Sequence, residues 1–119
     1  MPHIHVEYSD NIENLATQSL LLALNHCLVE GQYAVAVDIK SRAIAQTDYC
    51  IGLAEKQQAY VHVKVSLLTG RSLEIRQEIS QKVLQVLSDQ LAVLSSPLTI
   101  QACVEIFEMP VETYAKKII

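Results

Sequence analysis

The chain carries one strand-like segment twice, and this duplication limits its fold more than any single residue does. Pro2-His3-Ile4-His5-Val6-Glu7-Tyr8-Ser9 aligns with Ala59-Tyr60-Val61-His62-Val63-Lys64-Val65-Ser66. His5 matches His62, Val6 matches Val63, Ser9 matches Ser66, and Ile4 stands opposite Val61. In the first copy Ile4, Val6 and Tyr8 alternate with polar neighbours, the period of a strand with one buried face. Each copy leads into a helical pattern and then a further strand. From about Ile12 to Glu30, Leu15, Leu22, Ala23, Cys27 and Leu28 follow a helical period, with Asp10 and Glu13 at capping-box spacing and Gly31 as a stop. From Ser72 to about Leu94, Ile79, Val83, Val86, Leu87, Leu91 and Leu94 form a stronger apolar stripe. The closing strands read as Tyr33 to about Gln46 and Leu98 to Phe107. In the former, Val35, Val37 and Ile39 share one side, and Asp38, Lys40 and Arg42 the other.

This order predicts an α+β fold, a duplicated βαβ with a four-stranded sheet and two helices on one face. Parallel pairing within each unit requires a right-handed crossover through its helix. The units run over 2–57 and 58–119 within a single domain, 1–119. Such a two-layer arrangement leaves the second sheet face uncovered. Because half of the residues are apolar, self-association is expected to bury that face. The same element order also suits a ferredoxin-like, non-catalytic small-molecule-binding module. That alternative expects an antiparallel sheet and gives the N-terminus no task.

Composition excludes several function classes. No apolar run approaches the ~20 residues of a membrane span, and no basic residue precedes Lys40 to open a secretory signal. A cytoplasmic location without membrane contact is expected. Net charge is −4, from 9 basic and 13 acidic residues, and aromatics are limited to five Tyr and one Phe. Neither a basic tract nor a stacking platform for nucleic acid is present. Cys27, Cys50 and Cys103 are scattered and odd in number, so they read as reduced, partly buried thiols.

Pro2 is the residue with the most distinctive chemistry. Removal of Met1 makes its nitrogen a free secondary amine in a rigid ring, a general base that needs no side chain. With Met1 in place the same nitrogen is a tertiary amide without basicity. Read without the rest of the chain, Pro2 is simply a residue that starts a strand outside the hydrogen-bond ladder.

The opening Pro2-His3-Ile4-His5-Val6-Glu7-Tyr8-Ser9-Asp10-Asn11-Ile12 resembles the start of the 5-carboxymethyl-2-hydroxymuconate isomerases of the tautomerase superfamily. Leu68-Thr69-Gly70-Arg71-Ser72-Leu73-Glu74 resembles the Gly-Arg-Ser-Leu-Glu turn of their second repeat, and is also similar to the Gly-Arg-Ser turn of the 4-oxalocrotonate tautomerases. Ile39-Lys40-Ser41-Arg42 is similar to the family's Ile-Arg-Ser-Arg strand, with Lys40 in place of the first Arg. The resemblance covers essentially the whole chain. It implies a homotrimer with Pro2 as proton carrier, no cofactor, and an anionic small-molecule substrate held by Arg71 and by Arg42 or Lys40. Ala59, the partner of Pro2 in the repeat, is internal, which implies one active site per subunit.

The implied reaction moves a proton along a conjugated carboxylated dienol or enone, most simply 5-carboxymethyl-2-hydroxymuconate in homoprotocatechuate breakdown. A keto-enol acid is the alternative substrate class. One group that accepts and then returns a proton suffices. Guanidinium groups and an apolar pocket lower the amine pKa towards neutrality, and arginine's planar fork binds carboxylate in bidentate fashion. Each cation also has a plainer reading: Arg71 as a solvated turn residue, Arg42 as an ion-pair partner of Asp38, Lys40 as a solvated lysine. His3, His5 and His62 raise the question of zinc. No carboxylate or Cys except Glu7 stands at ligand spacing, so they are expected to line a subunit interface or to bond locally, with no metal site. Tyr8, Tyr49, Tyr60, Tyr114 and Phe107 are expected to pack.

Overall fold

A computed structural model describes residues 1–119. Strand β1 spans His3–Ser9, helix α1 Thr17–Glu30, strand β2 Lys40–Gln46, strand β3 Gln58–Leu68, helix α2 Leu73–Ala92 and strand β4 Thr99–Met109, with a 3-10 turn at Ala36–Asp38. The sheet order is β2-β1-β3-β4. β1 pairs parallel with β2, and β3 parallel with β4, as two crossover units require. The units join through β1 and β3, which run antiparallel. Parallel pairing inside each unit rules out the antiparallel sheet of the ferredoxin-like alternative. Val6 pairs with Val63, the same two residues that match in the repeat, so an approximate two-fold axis passes between them.

The alternation in β1 and β3 dictates the core. Ile4 and Val6 of β1 and Ala59, Val61, Val63, Val65 and Leu67 of β3 are buried on one face. They meet Leu20, Leu24 and Leu28 of α1 and Ile79, Val83 and Leu87 of α2, all at most 1% exposed. Burying a leucine or valine side chain is worth roughly 1.5–3 kcal/mol, so these two helical stripes fasten both helices to one side. Ser9 and Ser66, the matched serines, are both buried as well. Ser9 Oγ accepts from the Tyr60 amide at 3.1 Å, just beyond the last β1–β3 register pair.

The opposite face is open, but it is polar. His3, His5 and Glu7 share it with Tyr60, His62, Lys64, Gln101, Cys103 and Glu105. The argument that an apolar sheet face must be hidden therefore applies only to its edge strands, not to its centre. Its exposed large apolar side chains are on the edge strands, Ile44 beside Glu7 and Phe107 beside Ser66, while Val35, Val37, Ile118 and Ile119 are exposed in the turn before β2 and at the chain end. No helix is long and apolar enough to cross a membrane.

Two expected elements are shorter. Helix α1 starts at Thr17 with Ala16 as an N-cap that lacks a side-chain bond, so Asp10 and Glu13 form no capping box. Asn14 adopts a positive φ of 62°, and Ile12 drops into the core while the Asn11 side chain donates to the Gln58 carbonyl. These contacts hold residues 10–16 as a connecting loop. Strand β2 starts at Lys40 rather than Tyr33, because the Asp38 and Ile39 amides close a turn onto the Val35 and Ala36 carbonyls. Val35 and Val37 consequently point outward, 66% and 85% exposed. Of the three cysteines, Cys27 alone is partly buried; Cys50 and Cys103 are exposed, and all three are free thiols.

Candidate active site

The topology brings four segments to one end of the sheet. Parallel pairing sets Lys40, the first residue of β2, beside His3. Antiparallel pairing puts the end of β3 there too, with Ser66 opposite His3. Leu68 leads through Thr69 and Gly70 to Arg71, and Met109, its β4 partner, releases the C-terminal residues at the same end. Gly70 adopts a φ of 129°, which a side chain would strain, and so the turn that presents Arg71 needs glycine there.

Pro2 is buried at the head of β1. Its carbonyl accepts from the Lys40 amide at 3.0 Å. The Met1 amine donates to the Asp38 carbonyl at 2.6 Å, and the Lys40 Nζ donates to that same oxygen at 2.6 Å. Burial, and then the positive charge of Lys40, lower the Met1 amine from 8.0 to about 6. Lys40 is therefore no freely solvated lysine but a fixed cation at the chain terminus.

Arg42 lies one step further along β2, on the open face in register with His5. Its guanidinium reaches His5 Nε2 at 2.6 Å and His3 Nδ1 at 3.3 Å. Arginine only donates, so both ring nitrogens accept. Burial and then Arg42 push both imidazoles below the ordinary histidine value. His3 Nε2 bonds the Tyr114 hydroxyl at 2.9 Å, and His62 pairs with Glu105 at 3.0 Å. The histidines thus bond locally, as one of the sequence readings expected. The ion pair expected between Arg42 and Asp38 is absent, because the 3-10 turn carries Asp38 off the strand face to the Met1 amine and Lys116.

Arg71 is half-buried and donates to the carbonyls of Tyr33, at 3.0 Å, and Leu68, at 3.4 Å. It makes no bond to Pro2, Lys40 or Arg42 within the chain. Two of its donors hold the turn, and the rest of the guanidinium fork is unpaired. Sequence reasoning missed the role of Asp38 at the terminus and the approach of Tyr114 and Lys116. Nothing in the spacing of the last ten residues announces that they double back.

The duplicated two-layer sheet is the architecture of tautomerase-fold proteins. The chain superposes on a fused 4-OT wild-type symmetric trimer with a TM-score of 0.67 at 22% identity, covering 91% of this chain and 85% of that one. The match to one family is closer. Residues 2–118 fit the family model of 5-carboxymethyl-2-hydroxymuconate isomerase, and the chain belongs to that family of isomerases. It is 28% identical over 110 residues to the 5-carboxymethyl-2-hydroxymuconate Delta-isomerase of Escherichia coli, spanning 92% of this chain and 87% of that protein. The crystal structure of a 5-carboxymethyl-2-hydroxymuconate isomerase from Deinococcus radiodurans superposes with a TM-score of 0.89 at 28% identity, covering 98% of this chain and 88% of that one.

Proposed function

We propose that the protein isomerises 5-carboxymethyl-2-hydroxymuconate without a cofactor, using the Pro2 amine, freed of Met1, as both base and acid. The observation that carries this reading is the placement of Pro2: buried at the head of β1, with Lys40 bonded to its carbonyl and Arg42 next along the same strand. An amine at this end of the sheet already sits near pH 6 in the Met1-bearing chain. Partial burial and Lys40, the causes of that shift, act on the Pro2 amine in the same direction.

The neutral amine removes the 2-hydroxyl proton of the dienol, and the resulting dienolate, its charge shared between oxygen and the conjugated carbons, is held by positive charge. The protonated amine then returns the proton to a carbon at the far end of the conjugated system, which leaves an enone. Atoms and charge balance without any further reagent. Lys40 and Arg42 lie on one face of β2 and stabilise the developing oxyanion and a carboxylate. Arg71 offers the free part of its fork to a second carboxylate. A single well-placed donor to an oxyanion is commonly worth about 3 kcal/mol.

The assembly we infer is a homotrimer, with the exposed apolar residues near the β2 and β4 edges buried between copies. The solved fused 4-OT proteins, described as trimers, support this assembly. A cytoplasmic place in homoprotocatechuate breakdown accords with the substrate. The test is a spectrophotometric assay of 5-carboxymethyl-2-hydroxymuconate isomerisation by the Met1-processed protein. Turnover that disappears on blocking the terminal amine is expected, and turnover unaffected by the block would refute the proline chemistry.

A further inference from the structure

A chain of net charge −4 concentrates cations at one end of its sheet. The Met1 amine, Lys40 and Lys116 all converge on Asp38. Arg42 follows one step along β2. Asp38 is the only carboxylate bonded within this group, and Lys116 Nζ donates to its Oδ1 at 2.8 Å. Loss of Met1 also removes the ammonium that lies 3.9 Å from the second carboxylate oxygen. The cluster then holds more positive than negative charge, a field that attracts an anion.

Lys116 reaches this end from a distant part of the chain. Beyond β4 the Tyr114 amide donates to the Pro110 carbonyl in a turn, and the Tyr114 hydroxyl meets His3 at 2.9 Å. These contacts lay the tail across the head of β1 and deliver Lys116 to Asp38. The Lys116 side chain keeps 31% of its surface exposed, so its ammonium has room to exchange Asp38 for an incoming carboxylate.

We propose that Lys116 is a specificity-determining cation of the Pro2 site. Together with Lys40 it receives a carboxylate of a polyanionic substrate, and the C-terminal tail thereby favours tricarboxylates over monocarboxylates. The location of this subsite rests on the reading of Pro2 as the reacting group, but its binding chemistry does not.

Calorimetric titration of the processed protein with propane-1,2,3-tricarboxylate tests it without turnover. Lys116→Gln should weaken binding about 10-fold, the loss of one charge-assisted contact, and Lys116→Arg should restore most of it. Asp38→Asn, which releases Lys116, should tighten binding, and adding Lys116→Gln to it should abolish the gain. In kinetics, Lys116→Gln should raise KM for 5-carboxymethyl-2-hydroxymuconate with kcat nearly unchanged, and leave the monocarboxylate phenylenolpyruvate unaffected. Wild-type tricarboxylate binding by Lys116→Gln, or equal losses on both substrates, would overturn the proposal. An inactive wild type that still shows the Lys116-dependent binding would refute the Pro2 chemistry and leave this subsite standing.

Discussion

The amide of Lys40 donates to the carbonyl of Pro2 at 3.0 Å, which fixes the first residue of β2 against the head of β1. This one bond determines which cation of the second strand stands at the terminus. Lys40 is held there, whereas Arg42 is one step further out and engaged with His3 and His5. Lys40 and Arg42 thus divide the strand face between them.

Replacing the base tests the reaction. Pro2→Ala leaves a primary amine after processing, with neither the ring nor the secondary nitrogen. A fall in kcat of about 10²-fold is expected, within the ordinary range for loss of a positioned general base, with the assembly unchanged by size-exclusion chromatography. Full activity in this variant would remove proline from the mechanism.

Arg71→Ala separates binding from folding. The change deletes the bonds to the Tyr33 and Leu68 carbonyls as well as the free donors. Carboxylated substrates should lose much more kcat/KM than a neutral enol, by about 10-fold or more. Equal losses would assign Arg71 to holding the turn alone.

Acid should weaken the fold through His3 and His5. Both imidazoles are pushed below 6.5 by burial first and by Arg42 next. The unfolded chain therefore binds more protons than the folded one as pH falls through 6.5, so stability drops in that direction. Thermal melts should show a falling Tm below about pH 6.5, and Arg42→Ala should flatten the dependence. A Tm that stays level to pH 5 would contradict the lowered His3 and His5 imidazoles beside the Arg42 cation.

Ser9→Ala tests the seam between the two units. The buried Ser9 hydroxyl accepts from the Tyr60 amide where the β1–β3 register pairs end. Its loss leaves that amide without its partner and should cost about 1–3 kcal/mol in denaturant unfolding. No loss of stability would show that solvent replaces the hydroxyl.

Much of this architecture is legible in the sequence, because alternation and helical stripes are direct consequences of burial on one face. The match of Val6 with Val63 even identifies the pair at the approximate two-fold axis. The stretches that mislead are those governed by contacts from elsewhere. Ile12 is apolar at helical spacing, yet it serves the core from a loop closed by Asn11 and Gln58. Val35 and Val37 alternate like strand residues, but the 3-10 turn at Ala36–Asp38 turns them to solvent. The polarity of the open face is hidden in overall composition, which averages its charged residues with an interior in which Ser9 and Ser66 are the buried polar side chains. At the candidate site, Pro2, Lys40, Arg42 and Arg71 stand out by type and motif. Asp38 and Lys116 meet across most of the chain, a contact that no local pattern encodes.

The central claim is a free, reactive Pro2 amine, and intact-mass spectrometry before and after treatment with a halopropiolate tests it most directly. The account predicts a chain lacking Met1, a single adduct located on the N-terminal peptide, and loss of isomerase activity in proportion to labelling. A processed chain that takes up no label, or that keeps full activity when labelled at Pro2, would contradict it.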